Sequence, residues 1–158
     1  MKEFLPYLSI FTVFLASFFA IMGAYLNAKQ NARNKWLDDF RNAISSYSSS
    51  IQQFEFFSAE ARIAFQSGKI ELEQIEKYKL TIQSITKNNQ DVMYLLLPND
   101  KTHQSLQTAL NNQQMQIISY AQTDSEELDL KSARIFTLGK TIYHKVQTTN
   151  YFNLRSTL

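Results

Sequence analysis

The chain has 158 residues, a formal net charge of +2, 44% hydrophobic residues, three glycines, two prolines and no cysteine. That length supplies one domain's worth of material, and the missing cysteine excludes a disulfide framework, a thiolate nucleophile and a thiol-ligated metal site. The small net charge hides a polarised layout: residues 29 to 41 carry four basic and two acidic groups, residues 42 to 130 six and eleven, and residues 131 to 158 five and none.

From Phe4 to Ala28, 25 consecutive residues contain no Asp, Glu, Lys or Arg. At about 1.5 Å per helical residue this run reaches roughly 37 Å, enough to cross a hydrocarbon core of about 30 Å. It exceeds the roughly 7 to 15 apolar residues of a signal-peptide core, and no A-x-A pattern precedes Lys29, so an uncleaved single-pass anchor is expected. Lys2 and Glu3 flank it on one side, and Lys29, Arg33, Lys35 and Arg41 on the other. Because Lys and Arg near a span are retained in the cytoplasm, the N-terminus is expected outside and the remainder inside. The expected organisation is a membrane helix over residues 1–28 and a cytosolic helical bundle over residues 29–158.

Within the span, Ala16, Ala20, Ala24 and Ala28 recur at four-residue spacing with Gly23 beside Ala24, while Phe11, Phe14, Phe18 and Phe19 load other sides. Small side chains let helices approach closely in lipid, so the strip suits self-assembly into a homo-oligomer as well as a plain anchor. Tyr25 and Asn27 lie near the cytoplasmic end, where aromatic and polar residues anchor a helix at the interface. In a ring of copies, Asn27 becomes a candidate pore-mouth residue.

The remaining pattern is helical throughout: few turn residues and no alternating β-branched runs. Trp36, Phe40, Ile44, Tyr47, Ile51 and Phe54 share one face of a helix expected to reach about Phe65 and stop at Ser67-Gly68. A second helix is predicted from near Lys69, with Ile70, Ile75, Tyr78, Ile82 and Ile85 as its stripe, a soft spot at Asn88-Asn89, and Pro98 as its limit. Asn99 or Asp100 can cap a third, carrying Leu106, Leu110, Ile117, Ile118 and Ala121. Asp124 with Glu127 reads as a capping box opening a fourth, whose apolar face is Ile135, Phe136, Ile142, Tyr143 and Val146. The fold class is therefore all-α, an N-terminal transmembrane helix continuing into a four-helix bundle. Ser45 to Ser50, interrupted by Tyr47, reads as a solvated helix face.

No nucleophile elbow, P-loop, H-E-x-x-H or dinucleotide fingerprint occurs, so no enzyme activity, cofactor or metal is expected. His103 follows a loop, and His144 sits beside Tyr143 as a border residue. A HEPN-type ribonuclease has four to six residues between an arginine and a following histidine, whereas nine residues lie between Arg134 and His144. Lys131, Arg134 and Lys145 share a helix sector of about 60° and offer a surface for RNA phosphates or anionic lipid headgroups, or simply a solvated face.

Three stretches, "NKWLDDFRNAI", "YLLLPNDKTHQSL" and "FTLGKTIYHKV", taken with the N-terminal span, resemble small bacterial membrane proteins with a cytosolic helical bundle. The best-understood relatives are the membrane accessory proteins of type VI-B, RNA-targeting CRISPR systems. The resemblance implies a ring-shaped oligomer in the inner membrane, N-terminal helices lining a pore, a HEPN-like bundle, and functional coupling to an RNA-guided nuclease in antiviral defence. It also implies that Trp36, Phe40 and Arg41 support a juxtamembrane neck, and that His103 with Leu95 to Pro98 is bundle structure. The rival expectation is a membrane-anchored adaptor for a cytosolic protein or RNA, followed by a membrane-tethered ribonuclease.

Overall fold

A computed structural model describes residues 5–68, 72–122 and 132–148. It is all-helical, with α1 over Leu5–Gln66, α2 over Leu72–Tyr94, α3 over Lys101–Gln122 and α4 over Ser132–Thr148. Among the described residues there is no strand. The capping box at Asp124 and Glu127, and Ile70, lie outside the described residues.

The chain divides into two compact units, Met1–Trp36 and Leu37–Leu158. The charge pattern changes after Ala28, where lipid-compatible sequence ends. Packing starts later, at Leu37, the first buried side chain among the described residues.

In the first unit, α1 carries near its N-terminus a stretch long and apolar enough to cross a membrane, and none of it is buried inside the chain. Phe14 and Ile21 are about as exposed as an isolated helix permits, at 72% and 71%. Ser17 donates its hydroxyl to the Val13 carbonyl at 2.9 Å, so this polar group is satisfied within the helix.

The second unit is a helical bundle built on the later part of α1. Phe40, Ile44, Tyr47, Ile51 and Phe54 are all buried, as their three- and four-residue spacing predicts, and Trp36 is half-buried at the edge of the other unit. Phe54 packs on Tyr78 of α2 with ring centres 5.3 Å apart. α1 ends where predicted: Ser67 N–H closes on the Ile63 carbonyl at 3.1 Å, and Gly68 takes the left-handed conformation at φ 66° that suits a residue without Cβ.

α2 buries only part of the face its isoleucines suggest: Ile85 is buried, and Tyr78 and Ile82 are half-buried. Thr81, Ile85, Asn89 and Val92 point into the core, whereas Ile75 is exposed. Of the polar members, Thr81 has its hydrogen bond supplied locally, whereas Asn89 keeps its Oδ1 buried without a hydrogen-bond partner among the described residues. Thr81 returns its hydroxyl to the Lys77 carbonyl at 2.8 Å, and Asn89 donates its amide to Gln114 Oε1 on α3. The expected soft spot at Asn88-Asn89 is continuous helix: Asn88 Nδ2 donates to Ser50 Oγ at 2.7 Å and to the Ser46 carbonyl at 3.2 Å, pinning α2 to α1. Ser50, expected on a solvated face, is thereby buried, while Ser45, Ser46 and Ser49 are exposed.

On α3, Leu106, Leu110 and Ile117 form the core face, and on α4 Ile135 and Ile142 do so. Ile118 and Phe136, predicted to share these faces, are exposed at 38% and 60%. Adjacent helical residues diverge by about 100°, so Ile117 and Ile135 take the core and their neighbours turn out of it. Across the centre, Tyr47 donates its hydroxyl to Gln113 Oε1 at 2.8 Å, both side chains being buried.

Candidate functional site

The helical geometry of α1 sorts its apolar N-terminal stretch by size. At about 100° per residue, Ala16, Ala20, Gly23 and Asn27 fall within a sector of about 60°, and Thr12, Gln30 and Asn34 lie on or beside it. Ala24 and Ala28 wind off to about 80° and 120° from Ala16. The opposite side carries Phe11, Phe14, Phe18, Ile21 and Tyr25, all strongly exposed within the chain. Nothing lies within 4 Å of the position a Gly23 Cβ would take. A small and polar stripe thus faces away from a bulky apolar one, with the exposed Phe19 about 60° from Ala16 on its flank.

Of the expected neck residues, Phe40 is buried in the bundle core. Arg41 reaches α4, where its guanidinium lies over the Tyr143 ring at 5.1 Å from the centroid and donates to the Tyr143 hydroxyl. Trp36 belongs to the other unit.

The "LPNDKTH" stretch forms a cap. Asp100 Oδ1 accepts the N–H groups of Thr102 at 2.8 Å and His103 at 3.4 Å, the N-cap geometry of α3. Its Oδ2 pairs with Lys145 of α4. Burial pushes the Asp100 carboxyl up, but the Lys145 ammonium bond, the two backbone N–H groups and the Lys145 charge together hold it at about 2. His103 is 1% exposed, and its Nδ1 accepts the Leu97 N–H at 2.9 Å. Burial lowers its pKa, opposed by the Asp100 charge and assisted by that of Lys145, so the imidazole is held neutral with its proton on Nε2. Gln104 Nε2 closes the loop on the Pro98 carbonyl at 2.7 Å. This histidine is a structural acceptor.

The proposed basic surface is not one cluster of equivalent charges. Arg134 is exposed, Lys145 is engaged with Asp100, and Lys131 lies outside the described residues. Arg134 and His144, ten residues apart on α4, are separated by about 15 Å of helical rise, too far to act on one phosphate. Among the described residues no group of three or more His, Asp or Glu side chains could hold a metal ion.

Between α1 and α4 of the second unit lies a groove of about 460 Å³. Phe40, Ile44 and Gly139 form its buried floor. A Cβ on Gly139 would come 3.3 Å from Ile44 Cδ1, so this glycine lets the two helices approach. Arg41 stands on the α1 wall, Lys140 and Tyr143 on the α4 wall, and Phe136 lines the cavity as well. The sequence reading missed Lys140, Gly139 and Tyr143 as site residues. Its available signal was Gly139 itself, a glycine inside a helical pattern, which often marks close backbone approach.

Comparison with protein families, with curated proteins and with solved structures finds no match for this chain.

Proposed function

We propose that this protein is a single-span, inner-membrane helical effector that works by self-assembly, its N-terminal helices packing or lining a pore while the bundle stays in the cytosol. The observation that carries the reading is the size-sorted span: an uncovered apolar helix with Ala16, Ala20, Gly23 and Asn27 on one stripe and bulky aromatic residues opposite. In lipid, close contact over small residues and interhelical hydrogen bonds hold helices together, and the bulky face suits acyl chains. Asn27 lies about 20° from Ala16 around the helix, where it meets a neighbouring copy or an aqueous lumen. The orientation follows from the positive flank at Lys29, Arg33, Lys35 and Arg41. Compromise of membrane integrity and the antiviral setting, coupled to an RNA-guided nuclease, belong to the resemblance alone.

The test is the mass of the full-length protein in mild non-ionic detergent, measured by size exclusion with light scattering and corrected for bound detergent. A discrete oligomer is expected, lost in Ala20→Leu with Gly23→Leu and retained in Phe14→Leu on the opposite face. Dye release from vesicles should follow the oligomer. A monomer, or an oligomer indifferent to the stripe, refutes the reading.

A membrane-anchored adaptor is the second reading, favoured by the large apolar side chains the bundle exposes, among them Phe56, Ile63, Leu80 and Tyr94. A monomeric, non-permeabilising protein that co-purifies with one stoichiometric partner would favour it.

A further inference from the structure

We infer that the groove between α1 and α4 binds a small organic anion, a phosphomonoester carried on a flat apolar group. Its volume of about 460 Å³ falls in the range of about 300 to 1,000 Å³ occupied by small-molecule sites.

Charge selects an anion. Arg41 and Lys140 approach from opposite walls, and no Asp or Glu is among the lining residues. The nearest acid contact is Asp38 Oδ1 at 3.8 Å from Arg41 Nη1, with the two side chains 67% and 61% exposed. So solvated a pair holds its partners weakly, and an incoming phosphate displaces it readily. Arg41 is also held in place: its plane rests on Tyr143 and one nitrogen donates to the phenol, which leaves other N–H groups of the fork for a phosphate.

The hydroxyls point the same way. Serine and threonine in these helices commonly return their hydroxyls to a carbonyl three or four residues back, as Ser50, Ser58, Thr137 and Thr141 do at 2.8 to 2.9 Å. Ser45, Ser48 and Ser49, which line the groove, make no such bond among the described residues. They are donors available to a ligand's oxygens.

The apolar half of the ligand follows from the floor and one wall. Phe40 and Ile44 form an apolar base, and the Phe136 ring is 60% exposed beside it. A flat group laid there removes apolar surface from water and stacks on an aromatic face. This inference concerns the bundle alone and stands whether or not the span assembles.

The test is calorimetric titration of the full-length protein in non-ionic detergent with phenyl phosphate, and separately with its two halves, inorganic phosphate and phenol. Saturable binding of phenyl phosphate is expected, with each half weaker. Lys140→Gln, an exposed change, should weaken it about tenfold, the scale of one charge-assisted hydrogen bond. Ser48→Leu should abolish it by filling the groove. Far-UV circular dichroism melts without ligand establish that each variant is folded. Phenyl phosphate that fails to saturate, binds Lys140→Gln as well as the parent, or binds no better than inorganic phosphate overturns the inference.

Discussion

Asp100 joins two interactions that substitution can separate. Its Oδ1 caps α3 through the Thr102 and His103 N–H groups, and its Oδ2 meets Lys145 of α4. Asp100→Asn keeps an oxygen for the cap and loses the charge. Asp100→Ala loses both. Removing an N-cap oxygen costs about 1 kcal/mol, within a range of about 0.5 to 2. The ion pair is one-sided in exposure, Asp100 at 7% and Lys145 at 46% of their side chains, so it is expected to add about 1 kcal/mol. Asp100→Ala should therefore destabilise the bundle by about 2 kcal/mol and Asp100→Asn by about 1. The assay is urea unfolding of the full-length protein in non-ionic detergent, followed by far-UV circular dichroism. In a Lys145→Ala background the Asp100→Asn cost should vanish and the cap cost remain. Equal losses for Ala and Asn, or an Asn cost that persists without Lys145, would refute the division into cap and ion pair.

Three further outcomes are expected. The neutral His103 imidazole binds fewer protons folded than unfolded, so its contribution is present above about pH 6.5 and is lost as pH falls below that value. A pH series of urea midpoints should show this loss in the parent as pH falls below about 6.5, and a flatter profile in His103→Gln. The Asp100 contribution should follow only at lower pH, as the medium falls through 3.8 toward about 2. Phe54→Ala, at 0% exposure against Tyr78, should cost about 3 to 5 kcal/mol by the same unfolding assay. Tyr47→Phe removes the 2.8 Å hydrogen bond to the buried Gln113 oxygen and should cost about 0.5 to 1.5 kcal/mol, with circular dichroism at 222 nm unchanged before unfolding.

The α1 face was legible because six apolar residues repeat every three or four positions, a period that only a helix places on one side. The stop at Gly68 and the limit at Pro98 were legible for the same local reason, since both residues restrict or release backbone angles irrespective of partners. The face of α2 was legible only in part, through Ile85 and Tyr78. Its buried Thr81 and Asn89 read as polar surface residues until α1 and α3 stand beside them. Asn88 likewise reads as a helix breaker in isolation, yet its amide donors meet acceptors on α1. His103, which the resemblance sets aside as bundle structure, is buried and accepts a backbone N–H from the preceding loop beside the α3 cap.

Residue order by itself determined the helical class, the charge-free N-terminal stretch, the ends of α1 and α2 and the cap of α3. Each depends on side-chain hydrophobicity, charge or backbone restriction within a few residues. Tertiary structure alone decided which of two adjacent apolar residues enters the core, which polar side chains are buried, and that Arg41 meets Tyr143 across a groove with Lys140. Those outcomes depend on residues that lie 25 to 102 positions apart along the chain, such as Asn89 with Gln114 and Arg41 with Tyr143, and come together only when the helices pack.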